Sequence, residues 1–103
     1  MSSWHKVCKL SELSEGKTLP VTVDDYDIVL VKQGDNVFAL EDNCSHQDFP
    51  LSHGAITGGN IKCKAHGAEF CLETGKAMRA PAFAPVRVFD VKIEHDEVLI
   101  NTE

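Results

Sequence analysis

Cys44-Ser45-His46 and, sixteen residues further on, Cys63-Lys64-Ala65-His66 are the stretch on which the reading of this chain turns. Each arm offers one thiol and one imidazole. Two loops therefore converge on one site with two sulfur and two nitrogen donors, a set that can hold zinc or an iron–sulfur cluster. Zinc fingers usually keep like ligands together, as C-x2-4-C and H-x3-5-H. Here each arm mixes the two types, and a single residue separates Cys44 from His46. Such an arm can put its thiolate on one metal and its imidazole on a second metal nearby. The pattern suits a two-iron cluster with Cys44 and Cys63 on one iron and His46 and His66 on the other, and a structural zinc site is the alternative.

The spacing C-x-H-x16-C-x2-H, with Gly67 directly after the last ligand, resembles the Rieske [2Fe–2S] signature. The similarity continues through Leu72-Glu73-Thr74-Gly75-Lys76, through Pro81-Ala82-Phe83-Ala84-Pro85 and over two strand-like runs near the C-terminus, so it covers most of the chain. Among small members of the family, the chain is most similar to the ferredoxin components of bacterial aromatic-ring dioxygenases. The resemblance implies an all-β fold: an antiparallel β-sandwich base with a small loop-built cluster-binding subdomain at about residues 42–68. A Pro-containing loop at about residues 77–85 would cover the site. It implies one [2Fe–2S] cluster on Cys44, His46, Cys63 and His66. The implied activity is one-electron transfer from a flavin-dependent reductase to a terminal oxygenase. Small subunits of nitrite reductases share this fold, many without the ligands, so a subunit fixed in a larger reductase is a second reading. A zinc-stapled interaction module is a third.

High-potential members of the family carry a Ser two residues, and a Tyr four residues, after the last His. Their hydroxyls donate hydrogen bonds to cluster sulfur. Ala68 and Phe70 stand at the matching positions here. The disulfide that joins the ligand loops in those members would need cysteines where this chain has Phe49 and Ala65. The resemblance therefore implies a potential near the bottom of the Rieske range, about −150 mV.

Composition sets bounds on the rest. With 103 residues the chain is expected to be one domain, residues 1–103, with a single modest core. A 43% hydrophobic content fits a globular protein. No apolar run approaches the ~18 residues of a membrane span, and no apolar h-region follows the N-terminal Met1-Ser2-Ser3-Trp4-His5-Lys6. A cytoplasmic, monomeric protein with no membrane contact is expected. The net charge of −6 disfavours nucleic acid and steers toward basic partners. No nucleophile–base pair stands out, and the chain is too short to carry the mononuclear iron domain of a ring-hydroxylating oxygenase. No catalytic site of its own is expected.

Along the chain, alternation and turn residues predict strands at residues 4–10, 18–23, 26–32, 37–41, 61–63, 68–72, 86–93 and 97–101. Pro20 suggests an edge strand. Residues 26–32, rich in β-branched side chains, are the best buried-strand candidate. Residues 11–16 read as a turn or single helical turn, and residues 47–60 as loop. Cys8 and Cys71 are expected to be buried, reduced strand residues, with a redox-sensitive pair as the sharper alternative. His5 and His95 are expected at the surface. His53, beside Gly54, could line a docking face. Phe49, Leu51, Pro81 and Phe83 are expected to keep water from the cluster, and Gly67 and its neighbours to offer amides to cluster sulfur.

Overall fold

Ile28, Val29, Leu30 and Val31 are all fully buried, which alternation on a half-buried strand could not produce. Their strand has a core on each face. Ile28 and Leu30 point into one apolar cluster, Val29 and Val31 into another. The computed structural model that shows this describes residues 4–44, 49–64, 67–80 and 84–102.

Among those residues, ten strands form two antiparallel sheets. The base sheet contains β1 (Trp4–Lys9), β2 (Thr18–Val23), β3 (Tyr26–Gln33), β4 (Asn36–Glu41), β9 (Val88–Glu94) and β10 (Glu97–Asn101), in the order β1-β10-β9-β4-β3-β2. Its first and last strands, β1 and β2, touch, so the sheet curls around its own core. That core holds Cys8, Leu13, Ile28, Leu30, Ala39, Phe89, Val98 and Ile100. Pro20 lies on β2, an edge of this order, where its missing N–H breaks no ladder.

The second sheet is a lobe on the outer face of β3 and β4. It runs β5 (Ala55–Thr57), β6 (Asn60–Lys62), β7 (Glu69–Cys71) and β8 (Ala77–Arg79) in chain order. Ile61 and Phe70 pair across β6 and β7 and point inward, joining Val29, Val31, Leu40, Leu51 and Val86 in the second core. The opposite face carries Asn60, Lys62, Glu69 and Cys71.

Several expectations need correction. Residues 47–60 are not all loop: Leu51–His53 form a 3-10 turn, and Ala55–Thr57 pair with Asn60–Lys62 as a hairpin. The segment at 77–85 begins as strand β8, while Pro81, Ala82 and Phe83 lie outside the described residues. Cys71 is half-exposed because its register puts it on the lobe's outer face. Cys8 is in the base core, so the two thiols belong to different layers. His5 is half-buried rather than on the surface. It pairs with inward-facing Ile100, and its Nε2 is buried without a hydrogen-bond partner. His95 is exposed, in the left-handed region (φ 50°) of the two-residue turn between β9 and β10.

Truncating Phe70 removes the largest fully buried side chain, so Phe70→Ala should lower unfolding free energy by about 3–5 kcal/mol. Met78, 56% exposed on β8, is the contrast: Met78→Ala should change stability by no more than about 0.5 kcal/mol. Urea titrations of both variants check the pair.

Candidate metal centre

β4 ends at Glu41, and three residues later Cys44 is buried to 1% exposure. β6 ends at Lys62, and Cys63, the next residue, is fully buried. Neither thiol is in a disulfide, and both belong to the same apolar cluster. Two strands from different sheets thus deliver the two candidate sulfur donors to one layer of the molecule.

The feet of the two ligand loops are closed by backbone hydrogen bonds. Cys44 N–H donates to the Phe49 carbonyl at 2.9 Å, bracketing residues 45–48. Cys63 N–H donates to the Ala68 carbonyl at 2.6 Å, and Gly67 N–H donates back to the Cys63 carbonyl at 2.9 Å. The second loop needs a residue with positive φ where it turns back, and Gly67 supplies it at 74°. The Gly67 amide, expected to face cluster sulfur, is thus engaged in closing the loop. His46, His66 and Ala65 lie outside the described residues.

A polar brace that the sequence does not advertise fixes the first arm. Ser52 donates from its backbone N–H (2.7 Å) and from its hydroxyl (2.8 Å) to the two carboxylate oxygens of Asp42. The Ser52 carbonyl accepts from the Thr18 hydroxyl at 2.7 Å. Asp42, Ser52 and Thr18 tie the end of β4, the 3-10 turn and the start of β2 into one unit. Leu51, fully buried beside them, plugs the same core, and Phe49 packs against it.

Gly54 lets the two arms approach. A Cβ on Gly54 would collide with the Lys62 carbonyl and lie 3.1 Å from the Leu51 carbonyl. His53, one residue before, stacks edge-on against Phe49 with ring centroids 5.8 Å apart. His53, Gly54, Ala55, Lys62, Cys63 and Lys64 line an open depression of about 270 Å³ beside the second arm. His53 is therefore at the site, whereas His5 and His95 belong to the base sheet's far strands.

The donor chemistry fits an iron–sulfur cluster. The two thiols sit in an apolar, water-excluding cluster, where soft anionic sulfur donors suit iron or zinc. Such a shell holds thiolate ligands dry and tunes the potential of what they bind.

Residues 3–90 match the Rieske [2Fe–2S] domain. The chain belongs to that family. The ferredoxin component of biphenyl 2,3-dioxygenase from Rhodococcus jostii (strain RHA1) is 39% identical over 95% of this chain and 92% of its own length. The ferredoxin of carbazole 1,9a-dioxygenase from Nocardioides aromaticivorans IC177 superposes with a TM-score of 0.94 at 29% identity, over 97% of this chain and 98% of that one. A chain in the complex of reduced oxygenase and oxidized ferredoxin of carbazole 1,9a-dioxygenase superposes at 0.91, with 34% identity over 97% and 94%. As a Rieske domain the chain takes one Rieske-type [2Fe–2S] cluster, and its base and lobe are those of a Rieske fold.

Across the lobe's outer face, Glu69 accepts from the Thr57 hydroxyl (3.0 Å), the Asn60 amide (3.3 Å) and Arg79 (3.4 Å). The Thr57 and Asn60 hydrogen bonds, followed by Arg79, hold its carboxyl below the ordinary 4.5. A depressed carboxylate stabilises the fold fully above its unfolded pKa and loses that contribution as pH falls through the folded value. Melting temperature should thus fall more steeply below pH 4.5 in the natural protein than in Glu69→Gln, as thermal scans across that range would reveal.

Gly54→Ala should push the 62–63 backbone away from the first arm. The base sheet does not depend on that contact, so far-ultraviolet circular dichroism should be kept. Iron content and visible absorbance should fall together, and full iron loading in this variant would count against the close-approach argument.

Proposed function

We propose that this Rieske ferredoxin carries single electrons from a flavin-dependent reductase to the terminal oxygenase of an aromatic-ring dioxygenase system. The observation that carries the reading is the likeness to a dioxygenase ferredoxin along nearly the whole of both chains. Oxygenase and reductase as partners, a monomeric state and a cytoplasmic location belong to the same proposal. No helix among the described residues is long and apolar enough to cross a membrane, which is compatible with it.

Within this reading, residues 1–103 act as one domain whose cluster-binding part spans about residues 42–68, with the segment at about 77–85 as its cover. Cys44 and Cys63 hold one iron, and His46 and His66 hold the other. The bound cluster supplies reversible one-electron chemistry. The chain's own contribution is to keep both thiols buried, to close both loops at their feet and to exclude water with Phe49, Leu51 and Phe70. Pro81 and Phe83 complete the cover in this proposal. It needs no residue acting as nucleophile, acid or base, which agrees with ferredoxin relatives being carriers rather than catalytic subunits.

Anaerobically purified protein should show iron–sulfur charge-transfer bands and carry an electron from a flavin-dependent ferredoxin reductase to a biphenyl-type oxygenase. A colourless zinc protein would refute the proposal. Cys63→Ala should abolish stable cluster assembly, since it removes one ligand in four.

The potential is the sharper measurement. Ala68 and Phe70 are both fully buried in the core that holds the two cysteines, and neither side chain carries a hydroxyl. With those donors missing, the potential should lie at about −150 mV, the low end of the Rieske range. Ala68→Ser combined with Phe70→Tyr should raise it in a redox titration. A strongly positive wild-type value would remove the oxygenase assignment.

A further inference from the structure

The net charge of −6 is unevenly placed. Residues 44–80, which include the lobe, carry four Lys or Arg against three Asp or Glu, while the remaining residues carry six against thirteen. The base is strongly acidic and the cluster-bearing part is not.

Two of the four cations, Lys62 and Lys64, stand at the second ligand arm. Lys62 and Lys64 flank Cys63, both are exposed, and both line the depression that His53 also lines. A Cβ on Gly67 would lie 3.6 Å from the Lys62 Cε, so the Lys62 side chain runs along the foot of the second loop. Arg79, also exposed, reaches the same outer face from β8. The acid on that face, Glu69, is ion-paired with Arg79, so those two charges offset each other. Asp42 keeps its negative charge, half-buried at the first arm, where Ser52 donates to both of its oxygens. Among the described residues neither Lys62 nor Lys64 enters an ion pair. Asp48, the remaining acid of the ligand loops, lies outside the described residues.

Distance then decides which charge a docking partner meets. The molecule is 39 Å along its longest axis, about four Debye lengths at 0.1 M salt, where one length is about 10 Å. A partner at the second arm feels most strongly the charges within about one Debye length, and Lys62 and Lys64 are among them.

We infer that the redox docking surface beside the second ligand arm is a cationic patch, built on Lys62 and Lys64, that fits an acidic protein surface on the electron-transfer partner. The overall negative charge would suggest a basic partner, and the placement of charges reverses that sign at the site. The inference deepens the carrier reading by naming the chemistry of the partner's face.

The test uses the reduced holoprotein and small outer-sphere oxidants. One electron leaves the protein and hexacyanoferrate(III) becomes hexacyanoferrate(II). Between about 0.1 M and about 1 M salt the Debye length shrinks from about 10 Å to about 3 Å, so only nearby charges shape the rate. Two lysine charges acting on a trianion should make the rate fall about threefold or more over that range. With the trication hexaamminecobalt(III) the rate should rise. Lys62→Gln with Lys64→Gln should erase the hexacyanoferrate slope. Lys6→Gln with Lys9→Gln, on β1, makes the same change in net charge and should leave the slope in place.

A wild-type hexacyanoferrate rate that rises with salt overturns the inference whatever the variants do, as does equal loss of slope in both double variants. The visible spectrum, recorded first, reports on the carrier proposal separately. A normal cluster with the wrong salt slope sinks only the cationic patch.

Discussion

The structure depends on one strand pair being buried on both faces. β3 and β4 give Ile28, Leu30 and Ala39 to the base core, and Val29, Val31 and Leu40 to the core beneath the lobe. Either core alone would be small for a chain of 103 residues, of which a little over about 60% of the unfolded surface can be buried. Sharing a wall makes each layer a support for the other. Cys44 leaves that same β4, so the first thiol is placed by the most constrained part of the fold.

The lobe uses a different device, a set of short closures in place of a large core. Its strands are three residues each, too short to be stable as isolated hairpins. Leu72 N–H donates to the Gly59 carbonyl, Val86 N–H to the Gly75 carbonyl, and Gln33 reaches across to the Gly58 carbonyl. Gly75 marks where the β7–β8 turn meets the chain returning to the base. It has a φ of 77°, and a Cβ there would strike the Val86 carbonyl. The result is a small layer closed on itself by Leu72 and Gly59 and tied to the base through Gln33 and Val86. Such pinning suits an electron carrier, because ligands fixed by the fold need not rearrange when the charge on the cluster changes.

What the sequence disclosed follows from the range over which each signal acts. Strand β10 was legible because burial on one face repeats every second residue, and β3 because its run of β-branched side chains marks a strand buried on both faces. The pattern behind the proposed ligand set is local in residue type and spacing; the structure places Cys44 and Cys63 in one buried cluster, and His46 and His66 lie outside the described residues. Strand β5 was missed because three residues flanked by glycines offer too short a window for periodicity. Pairing of Ile56 with Ile61 is what makes that segment a strand. Cys71 was misjudged because its face depends on register with β6, which no local pattern encodes. The brace of Asp42, Ser52 and Thr18 joins residues 10 and 34 positions apart, and each of the three alone reads as an ordinary turn or strand residue.

The sixteen residues between His46 and Cys63 show why local and distant constraints must agree. Part of that spacer is the hairpin of β5 and β6, whose two-residue turn at Gly58 and Gly59 fixes the pairing of Ala55 with Lys62 and of Ile56 with Ile61. The pairing turns Ile61 into the core and Lys62 out to the depression, and it brings Gly54 against the Lys62 carbonyl. A slip of one residue would exchange the faces: Lys62 would enter the core and Ile61 would meet solvent. Cys63 follows at once, so its burial is set by the same register. The second half of the spacer is thus set by hairpin geometry, and the position of Cys63 in the sequence follows from that register.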